Sequence, residues 1–163
     1  MIDRRTLIVG GAVLGLGACA NKFRTYNGPA VTSVVVYKER RRLYLMHENE
    51  VLRDFGFELG FAPVGHKQYE GDGRTPEGAY MIDRRNPNSA FYLSIGISYP
   101  NNQDRAAAAA LGRPPGGDIF IHGTPRAKRR DADWTAGCIA VSDREMEDIY
   151  AMVRDGTPIF IYP

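Results

Sequence analysis

Apolar residues come in short, closely spaced runs along the chain, and most of them alternate or cluster over three to seven positions. Val34-Val35-Val36-Tyr37, Leu43-Tyr44-Leu45-Met46, Phe55 to Leu59, Tyr80-Met81-Ile82, Phe91 to Ile97, Ile119-Phe120-Ile121, Ile139-Ala140-Val141 and Ile159-Phe160-Ile161-Tyr162 read as eight strands. Glu39 to Arg42 forms a charged hairpin turn between the first two, with its arginines in solvent. Helical spacing occurs twice. Asp104 to Leu111 carries five consecutive alanines and stops at Gly112. Ser142-Asp143-Arg144-Glu145 is a capping box, followed by Met146, Ile149, Tyr150 and Val153 at the positions of one helix face, with Gly156 as the stop. The pattern predicts a mainly β single domain with two short helices.

The composition fits that picture. Of 163 residues, 44% are hydrophobic and 25% charged, enough for one core and too ordered in pattern for a repeat array or a disordered tail. A formal charge of +2, with no clustered basic face, argues against a nucleic-acid partner. Eighteen glycines and nine tyrosines against one tryptophan favour strands and turns.

The N-terminus has a different character. A charged start with Arg4-Arg5, an apolar stretch from Leu7 to Leu16 and the small-residue exit Gly17-Ala18-Cys19 match a secretory signal peptide. The apolar part is too short to span a bilayer as a helix. Leu16 to Cys19 also resembles a bacterial lipobox and Arg4-Arg5 a twin-arginine export signal. The expectation is cleavage after residue 18, lipidation of Cys19, a polar tether over 19–32 and a catalytic domain over 33–163. The mature protein would sit in the periplasm on a lipid anchor, with Ala20 after the cysteine favouring the outer membrane.

Cys138 is then the one remaining thiol, and it needs a reason to exist in an oxidising compartment. It follows Thr135-Ala136-Gly137 and precedes a strand, so glycine gives a substrate close access and exposes backbone N–H groups beside the sulfur. A buried structural cysteine would look similar. A nucleophilic thiol needs a base. His47 and His66 read as surface residues, whereas His122 ends a buried strand before Gly123-Thr124-Pro125. Neither Cys-x-x-Cys nor His-x-x-x-His spacing is present, so no metal is expected. Gly71-Asp72-Gly73-Arg74-Thr75-Pro76-Glu77-Gly78 lacks the features of a phosphate or dinucleotide loop, and no cofactor is expected.

Taken together, His122-Gly123-Thr124, Thr135-x-Gly137-Cys138 and the Gly71 to Gly78 stretch resemble the L,D-transpeptidase catalytic domain, or YkuD domain. The resemblance covers about Ser33 to Pro163. Ile97-Ser98-Tyr99-Pro100-Asn101, Arg105 and Pro115 to Asp118 are similar to the YafK-related branch. The resemblance implies a β-sandwich of mixed sheets and a cysteine acyl-enzyme acting on peptidoglycan stem peptides, for cell-wall crosslinking or protein attachment. It makes Cys138 the nucleophile, His122 the general base, the N–H groups of Gly137 and Cys138 the oxyanion hole and Thr135 a support for the loop. Gly123, Thr124, Tyr99 and Arg105 would meet substrate. Two departures stand out: Ala136 replaces a common histidine and Ala140 a common arginine. A murein hydrolase of the same fold, or a silent peptidoglycan-binding lipoprotein, are the competing readings. The expected partners are stem peptides, a membrane reached through the lipid and an anchored protein as acceptor or substrate.

Overall fold

The computed structural model describes residues 21–163, so the signal peptide and Cys19 lie outside the described residues. Eight strands and two helices follow one another in the chain. They are β1 (Ser33–Tyr37), β2 (Arg42–His47), β3 (Glu50–Gly56), β4 (Gly78–Asn86), β5 (Ser94–Ile97), α1 (Asn102–Ala110), β6 (Phe120–His122), β7 (Ile139–Ala140), α2 (Asp143–Met152) and β8 (Pro158–Tyr162). In space the strands run β3-β2-β1-β8-β4-β5-β6-β7. Only β1–β8 and β6–β7 are parallel.

The sheet curls because β4 serves two sets of partners. Gly78 to Met81 pair with β8, then a register shift after Ile82 passes Arg84 to Asn86 on to β5. The far edges come back together where Glu58 exchanges backbone hydrogen bonds with Ala140, at 2.8 and 2.9 Å. Alternating strand positions fill the interior: Val34, Val36, Leu43, Leu45, Ile82, Ile95, Ile97, Ile121, Ile139 and Ile159 are fully buried. Each such side chain contributes about 1.5–3 kcal/mol of transfer free energy. Helix α2 presses Met146 and Ile149 onto this core.

The alternation over Phe55 to Leu59 straddles the end of a strand, with Phe55 paired to Leu43 and Glu58 bridged to Ala140. Phe55, Phe57 and Leu59 do point inward, yet the strand proper is Glu50–Gly56, an edge strand mostly wet and therefore with little apolar signature. Strand β4 similarly runs on through the charged Asp83 to Asn86. Residues 22–31, read above as a tether, lie along the body. Phe23 meets Tyr150 at 6.2 Å, Arg24 pairs with Glu147 and Asp148, and Val31 is buried. Arg41 is half-buried, since its guanidinium binds the carboxylate of Asp133.

Candidate active site

Parallel pairing of Ile121 with Ile139 and His122 with Ala140 puts Cys138, one residue ahead of β7, level with Phe120. Residues two apart on a strand share a face, so the thiol and the imidazole of His122 lie on one face, a step apart. Both line a cavity of about 410 Å³ together with Asn86, Ser89, Phe91, Asp118 and Phe120. The Cys138 Sγ donates to the Asp118 carbonyl at 3.5 Å.

His122 is 2% exposed. Phe91 stacks on its ring at 4.5 Å and Trp134 meets it edge-on at 5.6 Å. Its Nδ1 lies 2.7 Å from the Gly123 carbonyl, which can only accept, so Nδ1 carries the proton and Nε2 is left unprotonated. Burial pulls the imidazole below its ordinary pKa, with the Gly123 hydrogen bond opposing. Burial also pushes the Cys138 thiol up, against the Phe120 N–H and the charges of Lys67 and Arg84 that favour thiolate. At neutral pH the pair is therefore thiol and neutral imidazole.

The loop carrying the thiol is held from below. Thr135 Oγ1 donates to the Cys138 carbonyl at 2.7 Å and accepts from the Gly137 N–H at 3.2 Å. The Gly137 N–H is thus engaged, whereas the Cys138 N–H has no hydrogen-bond partner among the described residues. Gly137 has φ +131°, and a Cβ there would stand 2.5 Å from the Arg74 carbonyl, so only glycine fits. Thr75 Oγ1 donates to the Gly137 carbonyl at 2.8 Å. Thr75 in turn belongs to the Gly71 to Gly78 loop. That loop is organised by Asp72, whose carboxylate takes N–H donors from Gln68, Tyr69 and Arg74 and pairs at 2.9 Å with Lys67. The function of the glycine-rich stretch is to brace the cysteine loop, a tertiary role that turn residues alone do not announce.

The other residues singled out in the sequence fall in several places. Gly123 sits beside the cavity, supplying the carbonyl that fixes His122, and its N–H bonds to the Phe91 carbonyl at 3.0 Å. Thr124 is buried, donates to the Val141 carbonyl at 2.7 Å and lines a separate groove beside Asp143. Tyr99 is in the core, its hydroxyl on the Pro115 carbonyl, and Arg105 is exposed on α1; neither lines the Cys138 cavity. His47 bonds to the Ala30 carbonyl. His66 accepts from the Glu77 N–H and pairs with the buried Asp104, so it belongs to the scaffold. Phe91, Trp134, Asn86 and Ser89 were not singled out. Nothing in their local sequence shows that Phe91, from the β4–β5 connection, and Trp134, from the β6–β7 connection, fold over the histidine. No group of three or more His, Cys, Asp or Glu is placed to hold a metal among the described residues.

Comparison with known proteins agrees with this fold. The model of the L,D-transpeptidase catalytic domain (YkuD) matches residues 31–161. YafK of Escherichia coli strain K12 is 28% identical over 136 residues, covering 80% of this chain and 50% of that protein. The chain thus spans about half the length of the curated relatives it matches. Among solved structures, the helical cell shape determining protein Pgp2 of Campylobacter jejuni, in its K307A form, superposes with a TM-score of 0.63. It is 27% identical, over 83% of this chain and 48% of Pgp2. An L,D-transpeptidase of Mycobacterium smegmatis shares the fold at a TM-score of 0.56, with 16% identity over 82% of this chain and 59% of that one. With its matched span running almost the length of the described residues, the chain belongs to the L,D-transpeptidase catalytic domain (YkuD) family.

Proposed function

We propose that this protein is a cysteine L,D-transpeptidase that opens an amide at the diamino acid of a peptidoglycan stem peptide and passes the acyl group to an amine. The observation that carries this reading is the shared cavity of Cys138 and His122, with the imidazole Nδ1 committed to Gly123 and Nε2 available. As the sulfur attacks the amide carbon, His122 Nε2 takes its proton, and the carbonyl oxygen becomes an oxyanion facing the Cys138 N–H. Collapse breaks the C–N bond, His122 returns the proton to the leaving amine, and a thioester remains on Cys138. An amine of a second stem peptide or of a protein then attacks, giving a crosslink or an attachment. Low-dielectric burial keeps both groups neutral in the resting enzyme, so the proton moves as the sulfur attacks.

The same reading places the enzyme at a membrane surface. Export through the Arg4-Arg5 signal and acylation of Cys19 would bring the domain to the periplasmic face of the outer membrane, within reach of peptidoglycan. Incubating the full chain with purified peptidoglycan and weighing the fragments tests the function. A tetrapeptide–tripeptide dimer, absent with Cys138→Ser, is expected. Loss of existing crosslinks instead would make it a hydrolase, and unchanged fragments would make it a binder.

A further inference from the structure

One charged pair at the mouth of the cavity has no part in the mechanism above. Arg84, on β4, and Asp118, ahead of β6, face each other with Nη2 and Oδ1 3.4 Å apart. Asp118 lines the Cys138 cavity, and its side chain is 92% exposed. Its backbone carbonyl is the one that holds the Cys138 thiol. Arg84 reaches the same rim by an unusual path. Gly96 on the neighbouring strand has no side chain, and a Cβ there would stand 2.4 Å from the Arg84 Cγ, so the arginine stem lies flat across the sheet. Its guanidinium then covers the ring of Phe120 at 4.5 Å, and Phe120 is itself a wall of the cavity.

The pair is built to exchange partners. At 3.4 Å it is longer than a tight charged hydrogen bond, and both side chains reach water, where such pairs contribute little to stability. The second partner of Arg84, Asp83, is its exposed chain neighbour at 2.8 Å and equally replaceable. A planar guanidinium beside an exposed, loosely paired carboxylate at the rim of the nucleophile's cavity complements a molecule carrying a carboxylate and an ammonium on one carbon. The fields of both side chains reach the sulfur, Arg84 favouring thiolate and Asp118 opposing it. A ligand that engages both therefore sits close to the reacting atom.

We propose that Arg84 and Asp118 form a clamp for a free α-amino-acid centre of the acyl donor, Arg84 taking its carboxylate and Asp118 its ammonium. This rests on the stem-peptide reading and deepens it: the donor must present a diamino acid whose far end is zwitterionic. Peptides whose far carboxylate is amidated, or whose far amine is acetylated, are poor substrates.

The test pairs variants with altered peptides. kcat/KM is measured for the wild type, Arg84→Gln and Asp118→Asn on the free, the amidated and the acetylated stem peptide. Asparagine is chosen at Asp118 because that residue has φ +53°, which asparagine tolerates. A charge-assisted contact made at this rim, once bound peptide displaces the water there, corresponds to about a tenfold difference. Amidation should cost the wild type about tenfold and cost Arg84→Gln nothing further, with acetylation and Asp118→Asn related in the same way. Equal losses of Arg84→Gln on free and amidated peptide would overturn the clamp while leaving the transpeptidase reading intact. Calorimetry of the same peptides with Cys138→Ser chain keeps the question separate from turnover. Binding that weakens about tenfold on amidation, and no longer does so once Arg84→Gln is added, supports the clamp even in an inactive enzyme. Indifference to amidation overturns it.

Discussion

Two buried polar centres lie on either side of the cysteine loop, and they are built on opposite principles. At Asp72 a carboxylate is buried, yet three backbone N–H groups and the Lys67 ammonium converge on it, and both side chains are under 5% exposed. Burial works against that carboxylate, and the donors outweigh it, so Asp72 is held below the usual carboxylate range. At Cys138 and His122, burial prevails. The thiol is pushed up and the imidazole down, because a carbonyl on each, one N–H at the thiol and the opposing charges around it do not offset burial. A fully partnered group braces a loop; a sparsely partnered one keeps its proton chemistry for the substrate.

Breaking the reactive centre should have the largest effect. His122→Ala removes the proton acceptor but no ion pair, so turnover should fall about 10²- to 10⁴-fold while the folded structure survives. Steady-state rates alongside a thermal melt check this, and an unchanged rate would take His122 out of the chemistry. Breaking the bracing centre should invert the pattern. Asp72→Asn leaves Lys67 buried without its counter-charge, and about 3–5 kcal/mol of stability should be lost. Urea denaturation measures it; a loss under about 1 kcal/mol would mean that the backbone donors, not the ion pair, hold the loop.

The smallest effect sharpens the contrast through pH. An unfolded histidine takes its proton near pH 6.5, whereas folded His122 takes it only at lower pH. The contribution of neutral His122 is therefore complete above about 6.5 and is lost as pH falls below that. For Cys138 the sign reverses: an unfolded thiol ionises near pH 8.5 and the folded one only above that. Its contribution is complete below about 8.5 and is lost as pH rises through the folded value. Unfolding free energies across pH 5–10 should fall at both ends, with His122→Ala flattening the acid side and Cys138→Ser the alkaline side. Asp72→Asn should leave both slopes in place.

Much of this was legible along the chain because it depends on local chemistry. Period-two burial marked the inward strand faces, and the capping box at Ser142 to Glu145 set the start of α2. A thiol after glycine and a histidine at a strand end marked the two residues that the fold brings to one cavity. The sequence alone determined which residues had to be inside and which could react, since both follow from side-chain type and near-neighbour spacing. The tertiary structure decided which groups meet. The edge strand β3, mostly wet, carried little apolar signal, and its pairing with β2 and the closure of Glu58 onto Ala140 gave its segment a place. Phe91, Arg84 and Asp118 reach the site from segments far apart in the chain, and Thr75 braces a carbonyl 62 residues away. Such contacts are set by how the sheet curls, and curl comes from packing over the whole core rather than from any local pattern.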